Sequence, residues 1–264
     1  MKFIVTISAI VAACGLAASS VAAAGADGAP WDYNPKDTQR ASPAQWGEYY
    51  PACNGTNQSP IDIVPTDVEQ RSKLRSTLRF RGSCPSFNLT QSGEGYKGAV
   101  IDGSCQVKAN KAHSTCTLLR NGEPLDGEVH FVHSNADGSA LLLIVVGVFM
   151  EIDPSGNTDP WLEAVIDGID DVSSTKPAML DLTSYSALIK KSVGRGALYN
   201  CPGSLTTPGC DEIVDWWVVE KPMRISAKDL TCIRENQGEI EMNYKNENSR
   251  PVQALNDRTI QSFK

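Results

Sequence analysis

Polar and apolar side chains alternate from Glu128 to Phe131 in the stretch EVHFVH, Glu128 to His133, which reads as an extended strand. Successive side chains of an extended strand leave opposite faces. Glu128, His130 and Val132 therefore share one face, and Val129, Phe131 and His133 share the other. His130 and His133 cannot hold one ligand between them. Upstream, the run from Val107 to Ser114 reads as a strand with Lys111 and His113 on a common face. Asp102-Gly103 and Asn121-Gly122 punctuate that run on either side as hairpin signals, which predicts antiparallel pairing with Glu128 to His133. That pairing would bring Lys111, His113 and His130 together.

Leu141 to Glu151 is mostly apolar and β-branched, the pattern of a strand buried on both faces. In DEIVDWWVV, Asp211 to Val219, the alternation of Val214, Trp216 and Val218 turns one face inward. Asp153 to Lys191 reads as loop-rich, with a short helix around Ser184 to Lys191. Ala29 to Tyr50 is rich in Pro, Trp, Tyr and polar residues without a sustained period, and reads as an irregular arm laid over the core. No internal repeat stands out.

The first residues bear on where the chain works. Lys2, the apolar run Phe3 to Leu16 and the small residues Ala22, Ala23 and Ala24 read as a secretory signal over residues 1–24, leaving 25–264 as one domain. The longest later apolar run, Ala140 to Met150, falls well short of the ~20 residues a membrane helix needs. The expected location is extracellular, with no membrane span. Of the 8 cysteines, Cys14 lies in the leader; an oxidising compartment favours disulfides for the others, and their odd number leaves one thiol free or intermolecular. Asn54-Gly55-Thr56 and Asn88-Leu89-Thr90 are N-glycosylation acceptors, and Asn57-Gln58-Ser59 is weakened by Pro60. A net charge of -7 argues against general nucleic-acid binding. Within this acidic chain Arg71, Lys73, Arg75, Arg79 and Arg81 form a basic cluster, which is either a solvated strand edge or a polyanion patch.

Several motifs follow one another in order. Trp46-Gly47 with Tyr50-Pro51 precedes Gln58-Ser59-Pro60-Ile61-Asp62-Ile63; the histidine strands come next; then YNCPGSLTTPGC, Tyr199 to Cys210; then Ile225-Ser226 with Asp229-Leu230, and RPVQALNDR, Arg250 to Arg258. From about Trp31 to Phe263 the chain resembles the alpha-class carbonic anhydrases. The resemblance implies a mainly β (α+β) single domain, with a large twisted, mostly antiparallel central sheet and short peripheral helices. It also implies a cis Ser59–Pro60 bond, a Cys53–Cys210 disulfide and, more loosely, a Cys116–Cys201 pair. Cys84, Cys105 and Cys232 stay unassigned.

For the site, the resemblance places the family's three zinc histidines on Lys111, His113 and His130. Glu128 matches the acid that holds the third histidine, and Thr206 the threonine that accepts a hydrogen bond from zinc-bound hydroxide. Val132, Val145, Leu205, Thr207 and Trp216 match the carbon dioxide pocket. The polar machinery departs from the pattern. An ammonium at Lys111 has no lone pair until it loses its proton. The glutamine that supports the first ligand falls on Ala109, the acid that orients the threonine on Thr117, and the proton-shuttle histidine on Glu94. Cys116 or Cys105 would be the nearest substitutes for the missing ligand. The expectation is a secreted carbonic-anhydrase-like protein with a degraded zinc site, little or no carbon dioxide hydratase activity, and a binding role toward a glycan, a surface or a protein. The rival expectation is a working zinc lyase interconverting carbon dioxide and bicarbonate through a non-standard ligand set.

Overall fold

The computed structural model describes residues 3–8, 29–71, 78–93, 95–109, 118–120, 123–134, 143–183, 185–193 and 196–263. Its strands are β1 (Phe3–Ser8), β2 (Ile61–Ile63), β3 (Glu69–Arg71), β4 (Leu78–Ser92), β5 (Gly95–Ala109), β6 (Leu118–Arg120), β7 (Glu123–Pro124), β8 (Gly127–His133), β9 (Leu143–Ile152), β10 (Ala178–Asp181), β11 (Leu198–Gly203), β12 (Val214–Ile225) and β13 (Gln261–Phe263). Ten of them form one sheet in the order β10-β4-β5-β1-β8-β9-β12-β11-β13-β3, and β2-β6-β7 form a small second sheet. Within the large sheet β9 runs parallel to β12 and β13 parallel to β3, while the other pairs are antiparallel. This is the mainly β architecture expected.

The alternation read from the sequence sorts side chains onto two cores. Val129 and Phe131 of β8, Val146 and Val148 of β9, and Trp217 and Val219 of β12 enter one of them. Helices Pro160–Asp171, Tyr185–Val193 and Ala227–Gly238 cover that face with Leu162, Val165, Ile189, Leu230 and Ile233. Val132, Val145, Trp216 and Val218 turn the other way and pack with Ile61 and Ile63 of β2. The Glu128 and His130 face is thus roofed by a short strand and turns rather than by helices, which leaves room for a site.

Four expectations change. β8 is flanked by β9 and by β1, with Thr6 opposite His130, so its second edge is filled by Phe3–Ser8 rather than by the strand around 107–114. Val107 to Ala109 instead close β5 against Leu78 to Phe80; residues 110–117, with Lys111 and His113, lie outside the described residues. Asp102-Gly103 is no hairpin: it sits inside β5 at a bulge, where Gly103 has φ 85° and an added Cβ would lie 2.2 Å from the Ser83 carbonyl oxygen. The β4–β5 reversal comes at Ser92 to Gly95.

The supposed loop after Asp153 holds a 12-residue helix, Pro160–Asp171, started by Asp159, whose side chain accepts from the Trp161 amide, and by Pro160 in the first turn. Finally, no single strand carries the basic run. Arg71 lies on β3, paired with Glu69 at 2.9 Å, whereas Arg79 and Arg81 stand exposed on β4; Lys73 and Arg75 lie outside the described residues. Other expectations are met. The Tyr185–Val193 helix forms, β9 is buried, Ser226 caps the helix after β12, and β6 and β7 pair about Asn121-Gly122.

Candidate metal and substrate site

The matched site residues lie on β8 and in the turn after β11, and a group of buried polar contacts fixes that turn to β12 and to the Gln58–Pro60 segment. The Ser59–Pro60 bond is cis. It turns Ser59 so that its amide donates to Ser204 Oγ (2.9 Å) while the Ser204 amide donates to Ser59 Oγ (3.2 Å). The Trp216 indole N–H donates to the Ser204 carbonyl at 3.2 Å, fastening the turn to β12. Arg250 lies buried beneath, donating to Gln58 Oε1 (2.7 Å), the Ser59 carbonyl (2.9 Å) and the Cys53 carbonyl (3.1 Å). Burial pulls its pKa down to about 10, still high enough to keep it charged at neutral pH. The expected Cys53–Cys210 disulfide is present and closes a sequence separation of 157 residues. Thr206 and Thr207, in the turn that follows β11, are both buried.

On that face His130 Nε2 lies 3.0 Å from Glu128 Oε1, and both side chains are 1% exposed. The approach is close, but its angle does not make a hydrogen bond: both Glu128 oxygens and both His130 ring nitrogens are buried without a hydrogen-bond partner among the described residues. Burial pushes the Glu128 carboxyl up, with the neighbouring imidazole opposing that shift. Trp216 meets the His130 ring edge to face at 4.8 Å. Thr206 Oγ1 is likewise buried and unpartnered among the described residues. Unsatisfied buried polar atoms are costly, so the four on Glu128 and His130 mark a place on β8 that accepts a polar guest.

Of the residues matched to the carbon dioxide pocket, Val132, Val145 and Trp216 share one core with Val214 and Leu143, and Leu205 packs against it. One contributor was missed. Gly147 on β9 stands opposite His130, and an added Cβ there would come within 2.1 Å of Glu128 Oε1. A lone glycine in an apolar strand was the available signal.

His133 leaves the other face. Its Nδ1 lies 2.9 Å from the Ile144 carbonyl oxygen and its Nε2 2.6 Å from the Tyr185 hydroxyl. A carbonyl only accepts, so Nδ1 carries the proton and Nε2 accepts from tyrosine. Desolvation lowers the His133 pKa to about 4 and raises that of Tyr185. The chain has 3 histidines, and this one is committed to the core.

Among the described residues the donors do not make up the family's three-ligand zinc set. His130 has two ring nitrogens without a hydrogen-bond partner among the described residues, His133 is committed to the core, and the remaining matched positions in sequence are His113 and the cation Lys111. Among the described residues no group of three His, Cys, Asp or Glu side chains converges; Lys111, His113, Thr117, Glu94 and Cys116 all lie outside them. Ala109 ends β5 opposite Leu78. Cys84 and Cys201 are each disulfide-bonded, and Cys232 is a free, partly exposed thiol. Of the sequon residues, Asn54 lies in the 3-10 turn Pro51–Asn54 and Asn88 in β4.

A family model described as eukaryotic-type carbonic anhydrase matches residues 41–118 and 110–264, two segments that meet at the stretch bearing Lys111 and His113. The chain is 27% identical over 267 residues to carbonic anhydrase 7 of Mus musculus, covering 88% of this chain and 96% of that protein. It is 28% identical over 233 residues to dioscorin DB3L of Dioscorea polystachya, covering 83% and 81%. Among solved structures, the alpha-carbonic anhydrase of Thermovibrio ammonificans, in complex with the inhibitor sulfanilamide, superposes with a TM-score of 0.68 at 26% identity, over 89% of this chain and 99% of that one. With this fold and a family model that matches most of its length, the chain belongs to the eukaryotic-type carbonic anhydrase family.

Proposed function

We propose that this is a secreted carbonic-anhydrase-like protein whose zinc site is degraded, with little or no carbon dioxide hydratase activity and a binding role built on the retained scaffold. The observation that carries the reading is the placement of His133. With only 3 histidines in the chain and this one held between Ile144 and Tyr185 on the helix-covered face, at most two imidazoles remain for a metal. A catalytic zinc usually takes three protein ligands and keeps one position for water. The third place falls to Lys111, which at neutral pH donates hydrogen bonds and accepts none.

What this chain's own residues retain is a polar floor and an apolar wall. Glu128, His130 and Thr206 present unsatisfied donors and acceptors, and Val132, Val145, Leu205 and Trp216 present an apolar surface beside them. That pairing suits a small guest with one polar end. Macromolecular partners, a glycan, a surface or a protein, would engage elsewhere; exposed Arg71 on β3 and Arg79 and Arg81 on β4 are the described members of the proposed polyanion patch. The second reading, a zinc lyase with a non-standard third ligand acting on carbon dioxide and bicarbonate, draws support from the unpartnered Nδ1 of His130. Lys111→His separates the two. Under the degraded-site reading it raises zinc affinity by at least tenfold in equilibrium titration, since a first ligand matters more than the ~10–100-fold of its supporting residues. An unchanged affinity would contradict the assignment of Lys111 to the ligand position.

A further inference from the structure

Charge is unevenly spread along this acidic chain. Between Gln70 and Gly93 the sequence holds Arg71, Lys73, Arg75, Arg79 and Arg81 and no Asp or Glu. Between Gly103 and Gly122 it holds Lys108, Lys111 and Arg120, again with no acid. The pairing of β4 with β5 sets these two stretches side by side, with Arg79 opposite Lys108 and Arg81 opposite Gln106. Leu78 is buried and Phe80 meets Tyr185 edge to face, so the alternation of the strand turns Arg79 and Arg81 outward, where both are exposed. Residues two apart on a strand lie about 7 Å from each other, and neighbouring strands about 5 Å apart. β10 pairs with β4 over Ser86 to Leu89, beyond both arginines.

A second observation separates these arginines from others on the surface. Arg71 and Arg224, also exposed, are ion-paired with Glu69 and Glu151, and Arg40 with Glu241. Arg79 and Arg81 make no ion pair with any described residue. Their charge is left for a partner.

We infer that this end of the β4–β5 ribbon binds a linear anionic polysaccharide, with Arg79 and Arg81 as its contacts. The inference rests on the secreted, binding reading above and gives its polyanion partner a place and a chemical class. A guanidinium stays charged and presents paired N–H donors that match the oxygens of a carboxylate or a sulfate. Unpaired arginines aligned along one strand suit a thin, extended chain with repeating acid groups. A membrane surface or a nucleic-acid duplex is broader and would also press its charge on the acidic remainder of the molecule, where repulsion acts over about 8 Å at physiological ionic strength. Arg71, its charge met by Glu69, stands outside the contact.

The test is retention of the purified protein on immobilised heparin, which is sulfated, and on immobilised polygalacturonate, which is carboxylated, at low and at physiological salt. Retention on at least one of them, weakening steeply as salt rises, is the expected result. Arg79→Gln/Arg81→Gln should weaken that binding by about tenfold. Lys221→Ser/Lys228→Ser removes the same charge from exposed positions on β12 and on the Ala227–Gly238 helix, and should leave binding nearly unchanged. All four side chains are exposed, so the urea midpoints should stay at the parent value. The better of the two columns tells whether the acid groups are sulfate or carboxylate. No retention on either, an equal loss in both variants, or tighter binding to phosphatidylserine vesicles or duplex DNA than to either polysaccharide would overturn the inference. So would an Arg79→Gln/Arg81→Gln protein that keeps its retention but self-associates, since the charges would then guard the edge of β4. Failure of the secreted reading shows in where the chain is recovered, and failure of the degraded-site reading in zinc content, and the columns read neither.

Discussion

Acid should loosen this protein through His133, and the size of the effect follows from its surroundings. The imidazole is fully buried, donates from Nδ1 to the Ile144 carbonyl and accepts at Nε2 from Tyr185, whose ring stacks on Phe131 at 4.7 Å. Protonation would put a second donor against the tyrosine oxygen and a charge into an apolar core. Desolvation accordingly holds the folded-state pKa at about 4, below its ordinary value of 6.5. Because the folded pKa is depressed, the unfolded chain binds the proton first as pH falls. The stability tied to His133 is complete above pH 6.5 and is lost on the way down to pH 4. The linkage relation gives a loss of about 2 kcal/mol by pH 5 and about 3 kcal/mol once both states are protonated. Burial raises the Glu128 carboxyl, which works in the opposite direction by favouring the folded state in acid. The comparison must therefore be between the protein and His133→Gln, in which Glu128 is common to both. Urea unfolding of the two proteins at pH 7 and pH 5 measures it. The variant should be less stable by about 1–3 kcal/mol at pH 7, from imperfectly replaced buried hydrogen bonds, and most of that gap should close at pH 5. Equal pH slopes in the two proteins would refute the burial and bonding assigned to His133.

Reducing or replacing the Cys53–Cys210 bridge should cost about 5 kcal/mol in the chain-entropy model for so long a loop, read as a drop in the urea midpoint of Cys53→Ser/Cys210→Ser relative to the parent. Gly147→Ala should displace the Glu128 carboxylate, because the new methyl would fall 2.1 Å from Oε1; overpacking of this kind costs about 1–3 kcal/mol, and Gly147→Ala with Glu128→Ala should recover most of it in a double-mutant cycle. Full additivity in that cycle would mean the two residues do not share the space.

Much of the fold was legible because burial imposes a period on the sequence. EVHFVH could only be a two-faced strand, and the sorting of Val132 away from Val129 and Phe131 onto separate cores follows from that alternation. The disulfide and the cis Ser59–Pro60 turn came from motif order, not from periodicity. The misreadings share a cause: local signals with two outcomes. Asp-Gly at 102–103 supplies a positive φ, which a bulge needs as much as a hairpin does. The helix Pro160–Asp171 was passed over because Pro160 and the Asp residues around it look like loop residues, although Asp before Pro is also how a helix begins. No local rule could say that β8 would find its second neighbour in Phe3–Ser8, because strand pairing is decided by what else competes for the edge. In the site, the Glu128–His130 contact was visible as an i, i+2 pair, while the space above Gly147 and the Tyr185 partner of His133 depend on chain neighbours far away in sequence.

The most direct test is the zinc content of the secreted, purified protein by elemental analysis after equilibration with excess zinc and buffer exchange, with carbon dioxide hydration assayed on the same sample. A chain with at most two imidazoles for a metal should retain well under one zinc per molecule and should hydrate carbon dioxide no faster than its His130→Ala variant. One zinc per molecule, with hydration that disappears in His130→Ala, would contradict the degraded site and establish a working lyase with a third ligand other than histidine.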